Sequence, residues 1–132
     1  MIEVGATGRA ELVVQPSDTA EAIALEPGDA FPPVFATSRM VALMELAAAR
    51  LMRPLLEEGR LSVGVSLTVR HNAATPVGCR VHAVATFEGM EGKMYRFRIE
   101  AFDEAGPIGD AEHTRAIIAT DRLMAGAAKR KA

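Results

Sequence analysis

Three side chains in this sequence have the types and spacing to do acid/base or nucleophilic chemistry: Thr37, Glu45 and His71. Glu45 draws attention first. It is the single carboxylate in the apolar stretch FATSRMVALMELAAARLM, residues 35 to 52, and an ionised carboxylate is costly to bury unless it is paired or used. At about 100° per residue, Arg39, Arg50, Arg53 and Glu57 fall within one narrow arc of a helix, and Glu45 points roughly 120° away from it. It shares its sector with Ala49, Met52 and Leu56, beside a stripe of Val41, Met44, Ala48 and Leu55. The carboxylate therefore leans toward whatever packs on the helix.

Each residue also has an ordinary reading. Glu45 can be a boundary glutamate that reaches water or pairs with an arginine. A threonine at a helix start commonly serves as an N-cap, and a lone histidine closing an apolar strand row is commonly a satisfied boundary residue. Together, however, a hydroxyl, a carboxylate and an imidazole form a hydrolase-like set. A histidine or carboxylate can take the proton of a hydroxyl or activate water. Spacing alone does not bring the three together.

The elements that must position them follow from periodicity and punctuation. Residues 10 to 14, AELVV, read as a short strand, and the Pro-, Gly- and acid-rich segment 15 to 33 reads as loop and as a cover. Thr37 or Ser38 caps a helix running to about Glu58 and stopping at Gly59, with Pro54 predicting a kink or an early end. From Leu61 the period becomes two: Val63, Val65, Leu67 and Val69 point inward and His71 continues the row. NAATPVG turns, and Cys79, Val81, Ala83, Ala85 and Phe87 form the next inward row. EGMEG turns again, Tyr95, Phe97, Ile99 and Ala101 mark a third long strand, and IGDAEHTRAIIAT makes the last. The expected fold is α+β, an antiparallel sheet of about five strands against one long helix. One domain is expected over residues 1 to 122, with a disordered basic tail from 123 to 132. A sheet with exposed edges and one covering helix predicts a homodimer.

Composition excludes several classes. Apolar residues are 49% and charged residues 24% of 132, and the net charge is -2 with both signs interspersed, which disfavours nucleic-acid binding. No window is long and uncharged enough for a membrane span, and no segment reads as an export signal. One cysteine, Cys79, fits a reducing compartment, so the cytoplasm is the expected location. The three histidines and the cysteine lack paired ligand spacing, so neither a metal nor a cofactor is expected.

FPPVFATSRMVALMELA, SVGVSLTVRHNAATPVGCRV and GDAEHTRAII, spread in order over residues 32 to 118, together resemble the fluoroacetyl-CoA thioesterase-like branch of the hot-dog-fold acyl-CoA thioesterases. The resemblance implies a long helix wrapped by a curved sheet, sites at a dimer interface, and an acyl-CoA thioester as substrate. It implies that Thr37, Glu45 and His71, at spacings of eight and twenty-six residues, occupy the catalytic positions. It also implies that Gly64 lines the site and that Arg115 contacts the substrate side. Upstream the sequence departs: the family's lid is lined by aromatics, whereas DTAEAIALEPGDAF offers Phe31 alone for that role. Another short or medium acyl-CoA is therefore expected. A hydratase or dehydratase of acyl-CoA, and a non-catalytic acyl-CoA-binding module, are the alternative readings.

Overall fold

The computed structural model describes residues 1–131. Strand β1 spans Thr7–Val13, followed by helix α1 (Thr37–Met52), strands β2 (Arg60–His71), β3 (Arg80–Glu91), β4 (Met94–Asp103) and β5 (Gly106–Ala119), and helix α2 (Thr120–Ala128). All pairings are antiparallel, in the order β1-β3-β4-β5-β2. The sheet curls around α1, as expected for a single apolar helix that has to be covered by one curved layer.

Helix α1 buries Met40, Leu43, Met44, Ala47, Ala48 and Met52. Against it lie the inward rows of the strands: Val81, Ala83, Ala85 and Phe87, then Phe97, Ile99 and Ala101, then Ile108 and Ala111. Small residues on both surfaces let helix and sheet approach closely. Strand and helix backbone come close at Gly8 of β1, where a Cβ would collide with the Ala47 carbonyl and meet Leu51 Cβ at 3.0 Å.

Pro54 ends α1 early. The helix stops at Met52 and a 3-10 turn, Arg53–Leu55, follows, because proline removes a helical hydrogen bond and clashes with the preceding turn. Glu57 and Leu56 consequently lie outside the helix. Segment 15–34 holds two short 3-10 turns, Pro16–Asp18 and Ala20–Ile23, within the expected loop. The reversal falls at the end of the EGMEG stretch: β3 continues through Glu91 and the chain turns at Gly92 and Lys93. In the tail, residues 120–128 are helical and exposed from Asp121 onward, consistent with the high helix propensity of their alanines; residue 132 of the expected tail lies outside the described residues.

The inward row of β2 differs most. Strict alternation would put Val65 inside, but its relative exposure is 49%. The register slips between Gly64 and Ser66, so that Gly64 pairs with Arg115 and Ser66 with Thr114. A bulge adds one residue and changes the phase of alternation. Gly64 before it and Leu67, Val69 and His71 after it can then all face α1.

Gly8→Ala is expected to destabilise the fold by about 1 to 3 kcal/mol through overpacking against the α1 backbone, measured by urea denaturation; unchanged stability would show that β1 can move away from α1.

Candidate active site

Thr37 is the first residue of α1, and Ala36 occupies the N-cap position without a side-chain cap. The threonine hydroxyl does not serve the helix. Its Oγ1 lies 2.8 Å from His71 Nδ1, joining the start of α1 to the last residue of β2. The pair lines a cavity of about 270 Å³ with Ala20, Val34, Phe35 and Asn72 among its walls. His71 Nε2 is buried and has no hydrogen-bond partner among the described residues. Burial holds the imidazole below its ordinary pKa, with the backbone at Ala73 opposing, so the ring is neutral, and competent as a base, at physiological pH.

The walls of this cavity are tied down. Asp18, buried in segment 15–34, receives Arg39 of α1 through Nε at 3.0 Å and Nη2 at 2.9 Å. The Ala36 N–H donates to the Asp18 carbonyl at 2.9 Å, and the Phe35 N–H donates to the Thr75 carbonyl at 2.8 Å. Segment 15–34, the start of α1 and the loop after β2 are thus fastened around Thr37 and His71. Phe31 is exposed at 45% and is not among the cavity walls.

Glu45 lies two turns further along α1, about 12 Å from Thr37 by helical rise. It accepts a hydrogen bond from Arg115 Nη1 at 3.1 Å. The arginine is not a surface charge: its side chain is 7% exposed, against 42% for Glu45. Arg115 Nε and Nη2 donate to the Ser62 hydroxyl (3.1 Å) and carbonyl (3.0 Å). Burial lowers the Arg115 pKa and Glu45 opposes the shift; the guanidinium remains charged. Glu45, Gly64, Ser66 and His113 line a second groove of about 210 Å³. A Cβ on Gly64 would collide with Glu45 Oε1; glycine there leaves the carboxylate its place.

The chain therefore brings five of the expected site residues together as two groups. Thr37 and His71 form one; Glu45, Gly64 and Arg115 form the other. Glu45 makes no hydrogen bond to His71. Two participants went unremarked in the sequence, Ser62 and His113. The signal for His113 was its spacing of two from Arg115 on a strand, which places both side chains on one face. Among the described residues no group of three or more His, Cys, Asp or Glu is arranged to hold a metal ion, and no helix is long and apolar enough to cross a membrane.

Residues 14–121 match the family of fluoroacetyl-CoA-specific thioesterases. A fluoroacetyl-CoA thioesterase from Streptantibioticus cattleyicolor is 43% identical over 95 residues, which cover 72% of this chain and 68% of that protein. The solved structure of the fluoroacetyl-CoA thioesterase FlK superposes with a TM-score of 0.90 at 36% identity, covering 100% of this chain and 98% of that one. A thioesterase superfamily member from Thermus thermophilus gives a TM-score of 0.88 at 34% identity, over 99% and 94%. A hot-dog-like protein from Thermanaerovibrio acidaminovorans gives 0.81 at 26%, over 98% and 93%. The curled sheet around one long helix is thus the hot-dog fold, and the chain belongs to the fluoroacetyl-CoA-specific thioesterase family of thioester hydrolases.

Proposed function

We propose that this protein hydrolyses a short or medium acyl-CoA thioester to the free acid and CoA, at a site that two copies of the chain complete. The observation that carries this reading is the hydrogen bond between Thr37 Oγ1 and His71 Nδ1. If the hydroxyl donates to Nδ1, His71 can take its proton as Thr37 attacks the thioester carbonyl carbon. The same base can instead deprotonate a water that Thr37 orients. The carbonyl oxygen gains the negative charge; N–H groups at the start of α1, which lack intrahelical acceptors, and the helix dipole favour it. The C–S bond then breaks and the CoA thiolate leaves, taking up a proton; the water route yields the free acid directly, whereas the Thr37 route leaves an acyl ester on Thr37 that a water deprotonated by His71 cleaves to the acid, restoring the hydroxyl. FlK variants have been solved with acetyl-CoA and with fluoroacetate, which supports a small acyl thioester here. Segment 15–30 carries no aromatic, and Phe35 rather than Phe31 is the phenylalanine among the cavity walls, so the reading is not confined to a fluorinated acyl group.

In that protonation state Nε2–H is a buried donor that needs an acceptor. Glu45 of the same chain lies two helical turns from Thr37 and makes no hydrogen bond to His71. A second copy supplies the remedy: β2 is an unpaired edge of twelve residues, with Leu61 and Val65 exposed. β1, the other edge, is shorter and carries Arg9 and Glu11. Antiparallel pairing of two β2 edges brings the His71 end of one chain toward the Gly64 end of the other, where Glu45 and Arg115 reside. We place this dimer in the cytoplasm, where its unpaired Cys79 stays reduced.

Free-thiol release from acyl-CoAs of increasing chain length, including fluorinated and aromatic ones, checks the reaction. His71→Ala and Glu45→Gln are expected to lose about 10² to 10⁴ in turnover while remaining folded; retained activity in both would reject the assignment. Binding without thiol release would mark a binding module, and hydrated or dehydrated acyl products a hydratase. Inactive Thr37→Ala and Glu45→Gln chains, unfolded and refolded together, should regain activity because one site of each mixed dimer is intact. No recovery would place all three groups in one chain. The pH profile has a definite sign: because the His71 pKa is lowered, kcat/KM should hold level to below pH ~6.5, the ordinary histidine value, and fall only under it. An acid limb centred above that value would contradict a buried neutral base.

A further inference from the structure

His113 is buried on β5, with 3% relative exposure, between two neighbours that leave it no choice of tautomer. Its Nδ1 lies 2.8 Å from the Ser66 carbonyl oxygen, which can only accept, so Nδ1 carries the proton. Its Nε2 lies 3.2 Å from Arg115 Nη1, which can only donate, so Nε2 presents its lone pair. We propose that His113 is a positioning residue of the hydrolytic site: the neutral Nδ1–H imidazole takes one N–H of Arg115 Nη1 and thereby aims the other at Glu45. The role in hydrolysis rests on the reading that Glu45 takes part in the reaction.

The hydrogen-bond inventory of Arg115 supports this. Nε and Nη2 are held by Ser62 on β2 at 3.1 and 3.0 Å, and Nη1 reaches Glu45 at 3.1 Å and His113 at 3.2 Å. A guanidinium has donors in a rigid planar fork, so gripping both flanks fixes the direction of the edge that faces Glu45. Removing the lone pair leaves a buried N–H unsatisfied and one flank loose. Protonating His113 would do more, placing N–H against N–H and a cation beside a cation. The charged groups around the ring are Arg115 and Glu45, with Glu91, Arg96 and Glu112 lining the adjoining surface groove; β4 presents the uncharged Phe97 ring at 6.3 Å. Burial first, and then the Arg115 charge, favour the neutral ring, while the Ser66 carbonyl and Glu45 oppose the shift.

The tautomer is tested without reference to catalysis. Long-range ¹H–¹⁵N spectra of ¹⁵N-histidine-labelled protein at pH 7.5, assigned by single His→Gln variants, should show His113 protonated on Nδ1 and bare on Nε2; an Nε2–H tautomer or an imidazolium would overturn the proposal. In thiol release, His113→Phe keeps a ring of similar size without an acceptor and should lose about 10- to 100-fold in kcat/KM through misplacement of Glu45. His113→Gln, whose Oε1 can accept from Nη1, should recover most of that loss. Its acid limb should keep only the His71 step, where the wild type has a second. Wild-type kcat/KM in a folded His113→Phe protein would overturn the positioning role. Full activity of Glu45→Gln would instead reject the reading of the site, leaving the spectra to decide the tautomer.

Discussion

The Arg115 guanidinium is a full positive charge held under a curved sheet, and much of the inner surface is arranged around that fact. A buried charge is tolerated only where its donors are met and a counter-charge stands close. Ser62 meets two donors, Glu45 and His113 share the third nitrogen, and Gly64 leaves the carboxylate its room. Exchanging such a cluster for apolar side chains commonly costs a fold little or even stabilises it. The cluster is therefore poor evidence of a stability device. What it secures is the position of one carboxylate at the end of a flexible side chain, which packing alone would leave to several rotamers.

The bulge in β2 makes the two halves of the site compatible. Gly64 and His71 are seven residues apart, an odd separation that regular alternation would place on opposite faces. The extra residue at Val65 restores both to the face that meets α1. It also turns Val65 outward, adding apolar surface to the edge on which a second copy is proposed to pair. One local irregularity thus serves the site and shapes the outer edge. Similarly, Ala36 sits where a side-chain cap is usual, and Thr37, one residue on, turns its hydroxyl to His71 rather than to the helix backbone.

Much of the architecture was legible because it rests on period and punctuation. The inward rows Val81, Ala83, Ala85, Phe87 and Phe97, Ile99, Ala101 follow from alternation alone, and the early end of α1 follows from Pro54. Glu45 could be placed off the solvated arc by helical geometry. What could not be read was phase and partnership. Nothing in SVGVSLTVRH marks a bulge except a glycine, and a strand glycine has several meanings. That Thr37 reaches His71 across 34 residues, while Glu45 reaches Arg115 across 70, depends on the curl of the sheet, which local sequence does not encode. His113 is hidden in the sequence for a related reason: a histidine among Glu112, Thr114 and Arg115 looks solvated until the strand turns it inward.

The separation of the site into two groups within one chain also bears on how the hot-dog scaffold can change substrates. Thr37 and His71 belong to the helix start and a strand end, fastened by Asp18 and Thr75, whereas Glu45 and Arg115 belong to the rigid middle of helix and sheet. An acyl group lying against the first group meets loop residues such as Ala20 and Val34, which can vary with little effect on the core. The charged cluster has less freedom, because changing Glu45, Ser62 or His113 takes an acceptor away from the buried Arg115. On the proposed reading, selectivity for the acyl group can therefore drift in segment 15–34 while Thr37, His71 and the charged cluster stay in place. The departure around Phe31 is the kind of change such an arrangement permits.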